Sequence, residues 1–504
     1  MAQAQVMAAR RLRVLSTSVM NDEVEHFDII TIGSGGGAKV STPAFNLGFK
    51  VAMVEHGFHV HLQDGERASA SHMDGLGGTC LNRGCIPSKM LIHPADVVTE
   101  IKEASRFDLD VSFKGVNIEK LVRRVTASVD GDSASIGPGY SKDPRKRWFK
   151  ESAHFVSEKC LKVGDKLISA DNIFLAGGAV PQVPNIEGLD KTPYLTSTEA
   201  LRLTTQPRKM IVIGAGYIAV ELGHYFGAMG TEVHMMARSK LLRVMDGETR
   251  DEFSRVFSER YNVHVGCSFR KVTYSEAEGF TLEYSDEGGN KSICAEKLLV
   301  VTGVKPATGG LQLDKTGVEL REGGFVKVDE CLRTTKAGIW CFGDMAGNFL
   351  FRHCANFEGE YLLEYIIHHL KEHGRPPESY PAIDYVGMPY AVFSNPQVAG
   401  VGMTEEEIQK NGIRYVKGVN LYRKSAMGDA RLSDHGFAKL LIEKGTRKIL
   451  GCHIVGYEAS TMIHQVVPLM RLGGKLEDLL YCIYIHPALN EVLRNSARKA
   501  RDAL

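Results

Sequence analysis

The sequence predicts an α/β protein that has two Rossmann-like domains and a C-terminal α+β domain. Three observations support this prediction, and the first two are the two units that would form the Rossmann-like domains. An apolar strand that enters a glycine-rich turn, followed by a helix-like segment and a second strand, occurs at residues 26–55 and again at residues 209–238. The third observation is a turn-rich break, GRPPESYPAID, at residues 374–384, after which strands alternate with two helix-like segments.

The segments between the two β-turn-α-β units supply further elements. Residues 116–134 are expected to be helical, and the basic stretch GPGYSKDPRKRW at residues 137–148 is expected to form a surface loop. LISADNIFLAGG, at residues 167–178, is interpreted as a buried strand that enters another glycine turn. These segments fit one α/β domain that surrounds the first glycine turn.

Length and charge exclude several classes of protein. The chain has 504 residues, and its 61 Lys+Arg against 60 Asp+Glu give a net charge of +1. Nucleic-acid-binding proteins carry a basic excess, so no nucleic-acid partner is expected. The apolar runs are of strand length, so no membrane span is expected. The 10 cysteines are too few for a disulfide scaffold, and only Cys80 and Cys85 are close neighbours.

The amino end, residues 1–25, precedes the first predicted strand. Residues 1–20 include Arg10, Arg11 and Arg13 and no acidic residue. This composition is typical of an organelle transit peptide, and a disordered tail is the alternative. The corresponding locations are mitochondrial or cytoplasmic.

The first glycine turn, GSGGGA at residues 33–38, has the residues that a diphosphate cradle needs. Gly33 permits the tight turn, Gly35 lets the backbone approach a phosphate, and Ala38 keeps the helix close to the strand. The N-terminus of that helix then presents unpaired N–H groups to the ligand. Glu55, at the end of the second strand, is placed to bind a ribose hydroxyl. Strand, turn, helix and acid together predict a dinucleotide site rather than a plain loop.

The second glycine turn, GAGYIA, contains Gly214, Gly216 and Ala219 in the same pattern. No acid follows its second strand, which ends at Arg238, and Arg243 comes five residues later. Two cations suit a 2′-phosphate better than a bare hydroxyl, so this turn predicts NADP(H) over NAD(H). The alternative is that both arginines are ordinary surface charges.

Cys80 and Cys85 lie in GGTCLNRGCIPSK at residues 77–89. On an ideal helix their Cα atoms would be about 8–9 Å apart, whereas a disulfide needs roughly 4.4–6.8 Å. A disulfide therefore requires a distorted backbone, which Gly84 and Pro87 allow. Bridges that close so small a loop are strained and labile, so the spacing favours a redox-active pair over two reduced buried cysteines. It is not a zinc-binding pattern.

The motif GGTCLNRGCIPSK resembles the redox signature of the class I pyridine nucleotide–disulfide oxidoreductases, in the branch of lipoamide dehydrogenase and mycothione reductase. The resemblance runs from Asp28 to Val492 and also includes TGVKP at residues 302–306, GIWCFGDMAG at 338–347 and YIHPALNE at 484–491. It implies an FAD-binding domain at residues 26–190 and 313–376, an NAD(P)-binding domain at 191–312, and an interface or dimerisation domain at 377–504.

The resemblance also implies which residues contact the cofactors. FAD would be held by the first glycine turn with Glu55, by Gly78 and Thr79 beside the cysteines, and by Asp344 at its ribityl chain. NADP or NAD would lie at the second turn.

A catalytic role for six residues follows from the same resemblance. Cys85 would be the flavin-side sulfur, and Cys80 would exchange with the substrate. Lys89 and Glu221 match an ion pair beside the flavin, where a cation stabilises the negative charge of the reduced ring and the carboxylate fixes the lysine. The alternative for these two is a surface lysine and a helix-face glutamate.

His486 and Glu491 complete the expected site. Thiol exchange needs a thiolate and therefore a base, and histidine side chains exchange protons near neutral pH. The resemblance implies that this pair comes from the partner subunit, so that a homodimer completes each active site. Without the motif, a histidine before a proline would be a packing or capping residue. His369 and His373 lack a third ligand, so no metal is expected.

Two features depart from the family pattern. The gap from Glu55 to Gly77 is longer than usual, and the polar segment HVHLQDGERASASHMD within residues 57–76 is interpreted as a surface insertion. Arg83 stands between the cysteines at a position that is usually small or apolar. One hypothesis is that its charge lowers the pKa of Cys80 or attracts an anionic substrate.

The expected activity is that of an FAD-dependent dithiol/disulfide oxidoreductase acting on a small thiol. Dihydrolipoamide is the first choice of substrate. An NADPH-dependent reductase of low-molecular-weight disulfides, of the mycothione reductase type, is the alternative, because lipoamide dehydrogenases normally use NAD and this conflicts with Arg238 and Arg243. A non-catalytic flavoprotein subunit of a larger complex is a third reading, and the intact set of catalytic residues argues against it.

Overall fold

The computed structural model describes residues 24–64 and 67–504 of the chain. The predicted tail or transit peptide at residues 1–20 lies outside the described residues. Up to residue 200, the strands are β1 (Glu25–Ile32), β2 (Val51–Val54), β3 (Phe58–Asp64), β4 (Arg67–Met73), β5 (Lys146–Phe149), β6 (Ala153–Ser157), β7 (Cys160–Val163), β8 (Lys166–Leu175) and β9 (Ala179–Pro181). The helices are α1 (Ala38–Asn46), α2 (Gly78–Arg83), α3 (Cys85–Lys102), α4 (Ile118–Ile136), α5 (Pro138–Ser141) and α6 (Ser197–Ala200).

The first sheet has the strand order β5-β2-β1-β8-β7-β6. Strand β1 pairs in parallel with β2 on one side and β8 on the other, so that Ile30 lies opposite both Ala52 and Ile173. All three side chains are fully buried, as expected for a parallel strand covered on both faces. The first glycine turn therefore lies at the carboxyl edge of this sheet, where the second strand places Glu55 beside it.

The prediction of a surface loop at residues 137–148 is wrong for its last three residues, which belong to a strand. Residues 146–149 form β5, which extends the sheet by pairing in parallel with β2. Lys146 is buried here, with its ammonium 4.3 Å from the ring centre of Tyr140. The basic, Pro-containing composition hid this strand, because Lys146 is covered both by Tyr140 and by Phe45, which lies far away in the sequence. The helix predicted at residues 116–134 is confirmed as α4.

The second Rossmann-like unit follows. Its elements are β10 (Lys209–Ile213), α7 (Tyr217–Met229), β11 (Glu232–Met236), α8 (Gly247–Arg260), β12 (Asn262–His264), β13 (Ser268–Ser275), β14 (Gly279–Asp286), β15 (Gly289–Ala295) and β16 (Lys297–Val300). Strands β12-β11-β10-β16 form a parallel sheet, and β13-β14-β15 form an antiparallel one. The second glycine turn connects β10 to α7, in the same position as the first turn in its own sheet.

The chain then returns to the first sheet. The next elements are β17 (Val304–Pro306), β18 (Ile339–Cys341), α9 (Arg352–Leu362), a π-helical turn (Leu363–Ile367) and α10 (His368–His373). Strand β18 pairs in parallel with β8, placing Trp340 opposite Phe174. The first sheet is thus assembled from two stretches of chain that are separated by the second unit.

The last domain contains β19 (Pro389–Val392), β20 (Gln397–Gly402), α11 (Glu405–Lys410), β21 (Tyr415–Leu421), α12 (Ala426–Ala430), β22 (Phe437–Glu443), β23 (Ile449–Gly456), α13 (Ala459–Met462), α14 (Val467–Arg471), α15 (Leu476–Leu480) and α16 (Asn490–Asp502). Its strands form an antiparallel sheet in the order β19-β20-β23-β22-β21. Helix α16 packs on β21 and β22 and buries Val492 and Leu493. The predicted fold class, α/β with a C-terminal α+β domain, is confirmed.

A buried charge cluster joins this last domain to the second Rossmann-like unit. Lys439, on β22, is fully buried, and its Nζ lies 3.0 Å from Asp246 Oδ2, 2.9 Å from Glu248 Oε2 and 2.5 Å from Glu405 Oε2. Asp246 also caps α8 by accepting the backbone N–H of Thr249. One ammonium is therefore surrounded by carboxylates from both sides of the domain boundary. Within the described ranges, no helix has the length and apolar character that crossing a bilayer requires.

Candidate active site

Both glycine turns open into one continuous cavity of about 2270 Å³. The cavity collects most of the residues that the sequence singled out: Gly33, Gly35, Glu55, Gly78, Thr79, Cys80, Arg83, Cys85, Lys89, Gly214, Gly216, Glu221, Arg238, Arg243 and Asp344 all line it. Ala38 and Ala219 lie behind the turns on α1 and α7. A cavity that reaches from one turn to the other past the cysteines has the layout for two dinucleotides with a thiol pair between them.

The first turn is shaped for a close backbone approach. Gly33 has φ +97°, and a Cβ there would lie 2.2 Å from the carbonyl oxygen of Ala176. A Cβ on Gly78 would lie 2.7 Å from the Cα of Gly35, so the turn and the start of α2 meet with no room for side chains. Glu55 Oε2 accepts hydrogen bonds from the backbone N–H and the hydroxyl of Ser34, at 3.0 and 2.8 Å. This cradle fits the diphosphate and ribose of FAD.

The second turn has the same geometry, but basic side chains lie beside it where the first turn has an acidic one. Gly214 has φ +154°, and a Cβ there would lie 2.4 Å from the carbonyl oxygen of Val301 and 3.2 Å from the Cβ of Ala219. Around Gly216 nothing would lie within 4 Å of an added Cβ, which leaves space for a ligand. Arg238 and Arg243 are exposed at the cavity wall, and neither is hydrogen-bonded or ion-paired to another residue in the described part of the chain. Their charges are therefore free to meet an anionic ligand.

The two cysteines lie on either side of a break between helices. Helix α2 ends at Arg83 and α3 begins at Cys85, because Gly84 takes φ −146° and ψ −115°. The distortion that the spacing required is thus at Gly84. The two cysteines are not joined by a disulfide in the structure, and their side chains are in hydrogen-bond contact.

The thiol pair favours a single negative charge. The hydrogen bond from Cys85 lowers the pKa of Cys80 to about 7, and the charges of Arg352 and Lys89 add to this effect, while burial opposes it. The same hydrogen bond and burial raise the pKa of Cys85. A thiolate is the reactive species in disulfide exchange, so the pair is activated near neutral pH.

Lys89 and Glu221 form the ion pair that the sequence predicted. Lys89 Nζ, on α3, lies 2.6 Å from Glu221 Oε2, on α7. Glu221 is buried, and its Oε1 accepts the backbone N–H of Phe393 at 2.9 Å. The ammonium also lies 4.5 Å from the ring centre of Phe393. The lysine is therefore held in a fixed position at the cavity wall beside the thiol pair.

His486 and Glu491 are paired but stand apart from the other residues. His486 Nδ1 lies 2.9 Å from Glu491 Oε2, and Arg494 donates to the other carboxylate oxygen. Burial opposes ionisation of Glu491, but the hydrogen bond with His486 and the charge of Arg494 lower the pKa of the carboxyl. The His486 side chain is 70% exposed, and neither residue lines the cavity of its own chain. The imidazole is thus open to solvent outside the cavity of its own chain, and one of its nitrogens is oriented by the carboxylate.

Arg83 is not among the charges that lower the pKa of Cys80, whereas its attraction of an anionic substrate stays a prediction. Its guanidinium lies 4.6 Å from the ring centre of Phe58, and the charges that act on it are those of Glu55 and Glu199. The charges that lower the pKa of Cys80 are instead those of Arg352 and Lys89. Spacing along the chain cannot show on which side of a short helix a long side chain folds.

The inserted segment is a β-hairpin rather than a plain surface loop. Strands β3 and β4 pair antiparallel, and the base of the hairpin is buried through Phe58 and Val60. Arg202 lies on the same ring of Phe58, at 5.9 Å. The cavity lining includes Phe58 and His59. The insertion therefore forms part of the wall beside Glu55.

Two cavity residues were missed by the sequence analysis. Tyr217, the first residue of α7, stacks on Phe351 with ring centres 5.6 Å apart. Arg352, the first residue of α9, lies opposite the first glycine turn. Asp344, nearby, has its pKa raised to about 6 by burial and by the charge of Glu358, with Arg352 opposing the shift. Tyr217 lies within the GAGYIA turn, but that pattern assigns roles only to its glycines and alanine, and nothing in the local sequence places Arg352 at the cavity.

Histidine clusters do not form a metal centre in the part of the chain that the structure describes. There, no group of three or more His, Cys, Asp or Glu side chains is arranged to hold a metal ion. His369 and His373 lie with ring centres 4.3 Å apart, and His369 Nδ1 contacts the carbonyl oxygen of Arg375 at 2.8 Å.

Comparison with protein families gives two matches that together cover most of the chain. Residues 27–359 match the family described as "Pyridine nucleotide-disulphide oxidoreductase". Residues 388–497 match "Pyridine nucleotide-disulphide oxidoreductase, dimerisation domain". The second match covers the antiparallel sheet, α16 and the His486–Glu491 pair.

Individual relatives agree with this assignment. The mitochondrial dihydrolipoyl dehydrogenase of Pisum sativum is 30% identical, over 94% of this chain and 91% of the relative. The mycothione reductase of Mycobacterium tuberculosis is 29% identical, over 94% of this chain and 99% of the relative. Among solved structures, the HOCl-induced flavoprotein disulfide reductase RclA from Escherichia coli superposes with a TM-score of 0.77, at 24% identity, over 94% of this chain and 99% of that one.

Proposed function

Because the chain belongs to the pyridine nucleotide-disulphide oxidoreductase family, whose members are flavoproteins that use FAD and NAD(P)H, we propose that its substrate is dihydrolipoamide. In this reaction the two thiols of dihydrolipoamide become a disulfide, and the Cys80–Cys85 disulfide is reduced to two thiols. The electron pair then passes to NAD(P)⁺ as a hydride, one proton is released, and the protein disulfide forms again. Bound FAD supplies the electron transfer between thiols and nucleotide.

The observation that carries this proposal is a second pocket, of about 620 Å³, against the start of α3. Its wall contains Cys85, the basic Lys89, His93 and Arg124, and the apolar Ile86, Met90, Pro94 and Phe393, and most of its surface is apolar. The hydrocarbon chain of lipoamide is apolar and uncharged, so these apolar side chains suit it.

The residues of the site then take separate roles. The thiolate of the pair attacks or leaves during exchange, and its negative charge is favoured by the fixed ammonium of Lys89. The partner subunit's His486 would accept the substrate proton, because the imidazole of each chain is open to solvent outside its own cavity. Glu491 would hold that imidazole in one tautomer. The dimerisation domain supports formation of the homodimer that this arrangement needs.

A second candidate is an NADPH-dependent reductase of a low-molecular-weight disulfide. Arg238 and Arg243 favour it, since two cations at the second glycine turn suit the 2′-phosphate of NADP. In that case the same thiol pair would run in the reducing direction.

Turnover assays separate the two candidates. Oxidation of dihydrolipoamide with NAD⁺ or NADP⁺ should proceed at tens per second or more, as for an average enzyme or better, while reduction of glutathione and mycothiol disulfides by NADH or NADPH should be far slower. Cys80→Ser should abolish turnover, and Cys482→Ser, which changes an exposed thiol on the protein surface, should leave it unchanged. Faster reduction of mycothiol disulfide with NADPH than oxidation of dihydrolipoamide would reject the lipoamide proposal in favour of the second.

The preference for NADPH over NADH can be tested separately, with a control variant of its own. Arg238→Leu with Arg243→Leu should raise the KM for NADPH about 10-fold or more, with little change for NADH, because only NADPH carries the extra phosphate. Lys240→Met removes a cation from the same loop that is already paired with Asp251, so its KM values should stay close to wild type. Equal KM values for NADPH before and after the double substitution would contradict a 2′-phosphate site.

A further inference from the structure

Arg352 reaches into the FAD side of the cavity from a part of the chain remote in sequence from the glycine turn. It is the first residue of α9, and its Nη1 lies 3.4 Å from the position that a Cβ would take on Gly35. The Cα of Gly78 lies 3.6 Å from the same position. The guanidinium therefore lies where the turn and the start of α2 come closest together.

The guanidinium of Arg352 has neither a hydrogen-bond partner nor an ion pair among residues 24–64 and 67–504. Other arginines at domain boundaries behave differently: Arg202 Nη2 lies 2.6 Å from Asp130 Oδ1, and Arg260 Nη2 lies 2.7 Å from Glu103 Oε1. A half-buried guanidinium that has lost part of its hydration without gaining a carboxylate is costly, unless an anion fills the place.

The nearby carboxylates either have other hydrogen-bond partners or form no ion pair with Arg352. Glu358 accepts the backbone N–H of Gly343 at 2.6 Å and the hydroxyl of Tyr385 at 2.5 Å. Glu55 is held by Ser34. Asp344 is influenced by the charge of Arg352 without forming an ion pair with it. The Cys80 thiolate feels the charge of Arg352, but no hydrogen bond or ion pair joins the two among the described residues, so a ligand in the cavity is the partner that remains for the guanidinium.

We propose that Arg352 is a cofactor-binding residue whose guanidinium pairs with the diphosphate of FAD beside Gly35. The glycine turn and the N-terminus of α1 provide N–H dipoles but no full positive charge, and α1 has no basic residue in its first turn apart from Lys39, whose ammonium lies 2.9 Å from Glu360 Oε1. Arg352 would supply the missing charge. This inference rests on the FAD-binding role of the first turn and not on the choice of thiol substrate.

The test is the release of FAD from the purified holoenzyme after dilution, followed by the rise in flavin fluorescence. Arg352→Leu should weaken FAD binding about 10- to 100-fold, the range expected for a hydrogen bond between charged groups. Arg352→Gln should lose a similar amount, and Arg352→Lys should fall between these and wild type, because it keeps the charge and loses the fork geometry. Added salt should weaken wild-type binding more than that of Arg352→Leu.

Arg471→Leu is the matched control. Arg471 lines the same cavity, but its Nη1 is paired with Asp384 Oδ2 at 2.8 Å, so FAD release should match wild type. FAD affinity and salt dependence of Arg352→Leu and Arg352→Gln equal to wild type would overturn the proposal. Such a result, combined with alkylation of Cys80 shifted to higher pH, would assign Arg352 to the thiol pair alone. If Arg352→Leu does not fold, Arg352→Gln and Arg352→Lys give the same comparison.

Discussion

Lys89 Nζ lies 2.6 Å from Glu221 Oε2, while the other oxygen of Glu221 accepts the backbone N–H of Phe393. The buried carboxylate of Glu221, on the helix that follows the second glycine turn, thereby contacts both the helix that carries Cys85 and the C-terminal domain. Its position depends on all three parts of the chain, and so does the position of the ammonium beside the thiols.

Glu221→Gln tests this connection. The amide keeps an acceptor for Phe393 but removes the charge that holds Lys89, so we expect kcat to fall about 10-fold, equivalent to about 1.4 kcal/mol in the barrier. Glu119→Gln, which breaks an exposed i,i+4 pair with Arg123 on α4, should keep kcat near wild type. Equal kcat for Glu221→Gln and wild type, measured under saturating substrates, would show that the ion pair is only structural.

The thiol pair should titrate near neutrality in the reduced enzyme. Because the pKa of Cys80 is lowered to about 7, its rate of alkylation by iodoacetamide should rise with pH and reach half of its maximum near pH 7. Mass spectrometry of the Cys80 peptide gives this rate separately from other cysteines. Cys85→Ala removes the hydrogen bond that is the largest cause of the shift, so its midpoint should move to higher pH. A wild-type midpoint at the value of an ordinary free thiol, about 8.5, would contradict the activation described here.

Sharing of the active site between subunits can be tested by complementation. Cys80→Ser and His486→Gln should each be inactive as homodimers. When both variants are produced in one cell, half of the dimers are mixed, and each mixed dimer has one site with an intact cysteine pair and an intact histidine. About a quarter of wild-type activity should therefore return. With both homodimers inactive, recovery of no activity in isolated mixed dimers would show that His486 acts within its own chain.

Lys439→Met should destabilise the protein strongly. The substitution leaves Asp246 buried without its counterion, and breaking a buried pair in this way costs about 3–5 kcal/mol. The midpoint of thermal unfolding at pH 7 should fall by several degrees. Lys444→Met, at an exposed position after the same strand, should unfold like wild type.

The same cluster predicts how stability depends on acid. Burial opposes ionisation of Asp246, but His453, Lys439 and the hydrogen bonds to the carboxylate lower its pKa in the folded protein. A lowered folded-state pKa gives stability that is present above the ordinary carboxyl range and is lost as the pH falls through the folded value. In Lys439→Met this lowering is reduced, so the loss of stability should begin at higher pH than in wild type. Unfolding curves of wild type and of Lys439→Met, measured between pH 3 and 7, give the pH at which each protein begins to lose stability.

Much of the fold and the cofactor sites follows from local sequence. Glycine turns such as residues 33–38 combine short-range strand, turn and helix signals, and the family resemblance, the α/β fold class, the enzyme class and the use of FAD and NAD(P)H are confirmed. The ion pair of Lys89 with Glu221 is also present. The choice of thiol, the choice between NAD and NADP, and the catalytic roles of individual residues stay predictions.

What the sequence did not reveal depends on contacts between distant segments. Lys439 looks like the polar position of an ordinary strand, and its burial is explained only by Asp246, which is 193 residues away. Phe58 lies in a polar stretch, and the arginines that cover it come from α2 and from the turn after α6. Arg352 begins the segment RHCAN at residues 352–356, but nothing in that segment points to the glycine turn, and only the folded chain brings it to Gly35.

The insertion of one domain into another has a consequence for biosynthesis. Strand β18 pairs with β8 at Ile173, Phe174 and Leu175, but it leaves the ribosome only after residues 176–338 have been made. At roughly 5–20 residues per second this delay is on the order of ten seconds or more. During that interval the carboxyl end of β8 presents an unpaired edge, and Asp344 and Arg352 do not yet exist. FAD capture should therefore come late in synthesis, and a chain halted within the second domain would need protection by a chaperone.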